Sequence, residues 1–194
     1  MQHIDASSLS SLPGRVAYLK AFLDFTLEDA AALHSAKSVV APLVPTVLDA
    51  VYAKLLSFDI TASSFVPRNT SYEDETAKSI QELTPESPQI VFRKNFLENY
   101  LVELVTADYE SEKTWEYMDR VGIMHTGLPD RTHTEKGSGF RVEYIHVGLL
   151  LGYVVDILLS AVLGADLDIA TKTKVLKAFN KIIWIQNDLF ARHY

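Results

Sequence analysis

The chain has 194 residues, enough for one sizeable domain and short of a comfortable two. A composition that is 48% apolar and 22% charged excludes a disordered or low-complexity chain, and a formal net charge of -7 with no block of Lys or Arg excludes an extended nucleic-acid or anionic-membrane surface. The absence of cysteine excludes disulfides, thiolate zinc sites, iron-sulfur clusters and a cysteine nucleophile; it fits a reducing, cytoplasmic compartment and leaves any metal to His or oxygen ligands.

Residues 1–12, MQHIDASSLSSL, lack the basic region and apolar run of a secretory signal and are expected to be flexible. Over residues 13–25, Val16, Leu19, Phe22 and Leu23 recur at helical spacing behind Pro13, which a first turn tolerates because the amide it lacks would have no partner there. Thr26 with Asp29 three residues on has the form of a capping box, predicting a helix from there to about Val40, where Pro42 and Pro45 interrupt it. In TVLDAVYAKLLSF a second helix keeps Val47, Leu48, Val51, Tyr52, Leu55 and Leu56 on one face. Residues 59–88 lose the period and carry three prolines, predicting a long loop with short turns inside it. Asn69-Thr70-Ser71 within it matches a glycosylation acceptor, a short pattern without weight in a chain lacking a secretory signal.

Ser87 and Pro88 form a cap and first-turn pair for a helix whose apolar arc, Phe92, Phe96, Leu97, Tyr100, Leu101 and Leu104, predicts a largely buried element. Residues 113–125 bring Trp115, Met118, Val121, Gly122 and His125 to one side, and Gly127 and Pro129 end that helix. A polar loop, residues 131–140, leads to the most apolar stretch, residues 144–165. Its length raises a membrane span, but Asp156 at its middle costs about 2.5–3.5 kcal/mol on insertion scales and no cation cluster anchors its ends, so a buried helix or a helix-helix interface is the better reading. A last amphipathic helix carries Val175, Leu176, Phe179, Ile182, Ile183, Leu189 and Phe190 to the terminus. No strand alternation competes anywhere, so the fold class is all-α in a single domain over 1–194.

Most catalytic patterns are missing. There is no phosphate-binding loop, no G-x-S-x-G and no H-E-x-x-H, and Gly137-Ser138-Gly139 reads as a flexible turn. Glu143-Tyr144-Ile145-His146 has the Glu-x-x-His spacing of di-iron bundles, yet such a site needs two copies and further glutamates, and the chain has one. Of the six histidines, His3 and His193 near the termini, His34 on a surface-like helix and His133 in a loop read as solvated, and His146 as a residue near a packed surface. His125 differs, lying on an apolar face at a helix end, where a neutral imidazole can project into an apolar cavity. By pattern alone it fits both a core histidine satisfied by a carbonyl, the commoner case, and a metal ligand.

Taken in order, T-W-E-Y-M-D-R-V-G-I-M-H-T, V-L-D-A-V-Y, F-R-K-N-F, R-V-E-Y-I-H-V-G-L-L-L-G-Y and the terminal K-A-F-N-K-I-I-W-I-Q-N-D-L-F-A-R-H-Y resemble segments of the protoglobins and of the globin domains of globin-coupled sensors. The resemblance spans about residues 13–194. It implies a globin-like fold with an extra N-terminal helix and a long loop in place of a short globin helix. It implies haem b as cofactor, with His125 as the metal-binding axial ligand, Tyr52 as hydrogen-bond donor to bound gas, and Phe96 and Tyr153 as pocket walls; Val51, Phe92, Met124 and Leu149 complete the implied cofactor-binding set. Val51 stands where archaeal protoglobins have Trp, Thr126 stands in place of a second histidine, and the 59–88 loop is longer than theirs. The resemblance further implies reversible binding of O2, CO or NO by a gas sensor or carrier, and a homodimer paired through 144–165 and 174–190. The expected protein is a stand-alone protoglobin without membrane span or nucleic-acid partner. The rival readings are a cofactor-free helical dimerisation module and a haem enzyme acting on NO or peroxide.

Overall fold

The structure is a computed structural model and describes residues 1–66, 75–127 and 141–194. Among these residues the chain is helical throughout, without strands. The glycosylation pattern at 69–71, Pro129 and the whole 131–140 loop, with His133 and Gly137-Ser138-Gly139, lie outside the described residues.

Helix α1, Leu12–Phe22, begins where the Ser11 hydroxyl accepts the Gly14 amide at 3.2 Å. Ahead of it, residues Ala6–Ser10 form one tight turn of helix capped by Asp5. Helix α2, Leu27–Ser35, opens on the anticipated box, the Asp29 carboxylate accepting the Thr26 amide at 2.8 Å and its hydroxyl at 3.2 Å. The chain continues through α3, Lys37–Val40, and a tight turn at Pro42 into α4, Val44–Leu56, so that Leu27–Leu56 is one bent helical run. Helix α5, Asp59–Ala62, and tight turns at Ser63–Phe65 and Ile80–Glu82 punctuate the long connection. Then come α6, Pro88–Leu104, α7, Glu112–Met124, α8, Tyr144–Gly164, and α9, Ile169–Ala191.

Helix α9 is the organising element, since α2, α7 and α8 all pack on it while α4 packs on α6 and α8. It buries Val175, Phe179, Ile182, Ile183, Ile185, Leu189 and Phe190, each large side chain contributing about 1.5–3 kcal/mol. Polar contacts set its register. Gln186 Nε2 donates to the Met118 carbonyl on α7 at 3.1 Å, Lys181 Nζ reaches both Asp29 oxygens at 2.8 and 2.9 Å, and Arg15 holds Asp188 through two N–H groups at 2.5 and 2.8 Å. At Gly122 α7 and α9 approach too closely for a side chain, because a Cβ there would lie 2.5 Å from the Leu189 carbonyl oxygen.

Three expectations are corrected. Helix α6 is not largely buried: its inward residues are Gln89, Ile90, Arg93, Tyr100, Leu101 and Leu104, while Val91, Phe96 and Val102 are exposed. Helix α8 is not a buried helix, since Ile145, Leu149, Leu159 and Leu163 form an exposed apolar stripe opposite the buried Val147, Val154, Leu158 and Val162. Neither His34 nor His193 is merely solvated. His34 donates Nε2–H to the Ala107 carbonyl at 2.8 Å, and His193 Nε2 sits 2.8 Å from Asp119 Oδ1, which Arg192 also reaches at 3.2 Å. Both Leu27–Leu56 and Tyr144–Gly164 are long and apolar enough to cross a membrane, with mean hydropathy of 1.6 and 2.2.

Candidate functional site

Helix α7 ends at His125, held by several constraints. Its last turn tightens, with the amides of His125 and Thr126 donating to the carbonyls of Gly122 and Ile123, and Gly127 at φ 74° turns the chain away in a conformation that favours glycine. The Thr126 hydroxyl donates to the Ile123 carbonyl at 2.8 Å. The Val142 amide donates to the His125 carbonyl at 2.8 Å, and the Tyr194 hydroxyl lies 2.6 Å from the Val142 carbonyl and 3.3 Å from that of His125. The backbone around the histidine is thus tied to the start of α8 and the end of α9.

The imidazole is oriented as firmly as its backbone. Nδ1–H donates to the Val121 carbonyl at 2.7 Å; a carbonyl only accepts, so this bond selects the tautomer whose lone pair is on Nε2. The Phe190 ring packs against it edge-on, with centroids 5.2 Å apart at 87°. Burial pushes the imidazole below its ordinary pKa; the Val121 carbonyl opposes that shift and the nearby Arg93 cation adds to it. A neutral ring is therefore favoured.

Facing elements supply three further groups. Tyr52 on α4 is buried, with its ring 5.9 Å from that of Phe65, and burial raises its pKa far enough that the hydroxyl remains a donor at neutral pH. Arg93 on α6 places its guanidinium 5.0 Å from the Phe65 centroid, close enough to both Tyr52 and His125 to act electrostatically on each. Val51, beside Tyr52, is fully enclosed.

The other expected pocket residues are spread more widely. Phe96 is 54% exposed and packs edge-on against the half-buried Phe92 at 5.1 Å. Met124 and Leu149 are exposed at 44% and 67%. Tyr153 is half-buried against the core, with Lys54 Nζ 5.7 Å from its ring centroid. Sequence reasoning missed Phe65, Gln89, Arg93, Phe190 and Tyr194. Helical spacing could have found Gln89 and Arg93, which stand in register with the buried Tyr100, but an apolar criterion passes over them.

Among the described residues no group of three or more His, Asp or Glu side chains can cage a metal ion. An imidazole whose Nδ1–H bond leaves the lone pair on Nε2 would suit an iron that brings its other ligands with a macrocycle, and the buried Arg93 cation would suit a carboxylate-bearing one. On these grounds the residues fit haem.

Among the described residues the architecture is thus all-helical and holds the His125 ring in a fixed orientation. The chain belongs to the protoglobin family, whose model matches residues 12–194. Among solved structures it is similar to the globin domain of a globin-coupled sensor from Geobacter sulfurreducens, at 19% identity and a TM-score of 0.69 over 92% of this chain and 96% of that one. A search of curated proteins finds no match. Family and fold together support a globin-type gas-binding domain.

Proposed function

We propose that the protein binds haem b through His125 Nε2 and reversibly takes up a diatomic gas, O2, CO or NO, as a cytoplasmic sensor or carrier. The observation that carries this reading is the Nδ1–H bond to Val121, which presets the ring as a neutral Nε2 donor. Haem held there would supply the ferrous iron to which the gas binds. The chain's own residues do the rest. His125 holds the iron, Phe190 fixes the ring plane, and the buried Tyr52 hydroxyl donates to a polar bound gas. Arg93 would counter the charge of haem carboxylates, while Phe96, Tyr153, Val51, Phe92 and Met124 would cover the macrocycle; Leu149, 67% exposed on the outer stripe of α8, is left to the pairing of two copies.

The exposed Ile145, Leu149, Leu159 and Leu163 of α8, with exposed Trp184 of α9, support pairing of two copies through 144–165 and 174–190 and a packed interface rather than a membrane span.

The test is an absorption spectrum of purified protein, oxidised, reduced and CO-bound, followed by sizing of the same sample. A Soret band that shifts with CO, in a dimer, is the expected result; protein produced with ample haem but lacking that band overturns the reading. Tyr52→Phe removes only the hydroxyl. Its oxygen dissociation rate should rise about tenfold, the loss of one hydrogen bond of about 1–1.5 kcal/mol, while CO affinity changes little; stopped-flow exchange of O2 for CO reads both.

A further inference from the structure

The last carbonyls of a helix have no partner inside it, and in α7 one of them, that of Val121, is the group that orients the His125 ring. The orientation of the imidazole therefore lasts only as long as the final turn of α7 stays wound. Part of what holds that turn comes from the far end of the sequence. Arg192, His193 and Tyr194, the three residues after α9, turn back to α7 and the segment that follows it. Arg192 and His193 both meet Asp119 Oδ1, at 3.2 and 2.8 Å. Gly122 leaves room for the His193 ring, which a Cβ there would approach to 3.1 Å.

From this anchorage the Tyr194 hydroxyl lies 2.6 Å from the Val142 carbonyl and 3.3 Å from that of His125. A phenol has one proton and donates to one carbonyl at a time, and the shorter distance assigns it to Val142. The Val142 amide in turn donates to the His125 carbonyl at 2.8 Å, so the hydroxyl is the outer link of a hydrogen-bond chain that ends on the histidine backbone. The Tyr194 ring lies against that of Tyr144, with centroids 5.5 Å apart at 49°, so packing aims the hydroxyl as well. Partial burial raises its pKa and keeps it a donor at neutral pH.

We propose that Tyr194 is a positioning residue for His125: its hydroxyl, acting through the Val142 carbonyl and amide, keeps the last turn of α7 wound so that the imidazole presents Nε2 in one direction. That this nitrogen meets haem iron rests on the gas-binding reading; that Tyr194 fixes the ring does not.

The test reads the Nδ1 proton of His125 by NMR in the purified full-length protein, reduced and CO-bound where haem is present. Its exchange with solvent reports how often the bond to the Val121 carbonyl opens. Tyr194→Phe keeps the ring and loses the hydroxyl, and should speed that exchange about tenfold, as expected for one lost hydrogen bond. Tyr144→Phe is the control for a loss that is only structural, because its hydroxyl bonds to Asn187 at 3.0 Å and does not lead to His125. It should leave the exchange within about twofold of wild type. With haem bound, transfer of haem to an excess of a haem-free acceptor protein should also be about tenfold faster from Tyr194→Phe. The proposal is overturned by wild-type exchange in Tyr194→Phe, by an equal acceleration in Tyr144→Phe, or by a wild-type Nδ1 proton that exchanges as freely as an exposed imidazole. Protein without a Soret band whose Nδ1 proton responds to Tyr194→Phe alone refutes the gas-binding reading and upholds the positioning role. A Soret band beside an indifferent Nδ1 proton refutes the positioning role alone.

Discussion

His125→Gly protein should emerge from purification without axial haem ligation and regain a Soret band when free imidazole is added. The cavity left by the side chain admits the same donor, now held only by diffusion, so haem affinity should fall by more than the about 10- to 100-fold that changes around a metal ligand cost. Circular dichroism should remain helical, because His125 closes α7 rather than filling its core. A spectrum unchanged by the substitution would sink the assignment. Acid should act on the same group. Since burial lowers the folded-state pKa, the unfolded chain binds the proton first as pH falls below about 6.5. The stability owed to a neutral ring is therefore whole above that value and is lost as pH drops through the depressed one. His125→Gly should flatten that part of the stability-pH profile.

Gly122→Val should be the most damaging single change outside the histidine. Its Cβ would lie 2.5 Å from the Leu189 carbonyl oxygen and 3.1 Å from the His193 ring, and since the first neighbour is backbone, α7 and α9 must separate. Overpacking of this kind costs about 1–3 kcal/mol and occasionally more, against a total stability of about 5–15 kcal/mol. The separation would also withdraw Phe190 from His125 and loosen the Gln186 bond to Met118. Urea denaturation should show a lower midpoint with an unchanged slope, and haem should leave the variant faster. A midpoint equal to wild type would mean that the helices are not held at this distance in solution.

The helices were legible because punctuation and period agreed. Thr26 and Asp29, Ser87 and Pro88, and Gly127 mark ends that the structure keeps, and the periodic faces of α4, α7 and α9 are the faces that pack. His125 could be singled out for the same reason. On α6 the apolar arc centred on Phe92 and Phe96 is a misleading guide to the inside, since the structure turns Gln89 and Arg93 inward. A buried guanidinium over an aromatic ring is a tertiary solution, set by Phe65 across a connection of more than twenty residues, and local pattern cannot supply it. The stripe on α8 was ambiguous for a related reason. Hydrophobicity says that a face avoids water but not which surface covers it.

The tie between α7 and the last turn of α9 has a mechanical meaning. Asp119 meets both Arg192 and His193, and Tyr194 reaches the backbone beside His125, so one end of α9 is fastened to the element that carries the site. Helix α9 has 23 residues and is a stiff rod about 35 Å long. Pivoted at that end, a tilt of about three degrees moves the Ile169 end by about 2 Å, so a small displacement of the histidine becomes a larger stroke where α8 and α9 join.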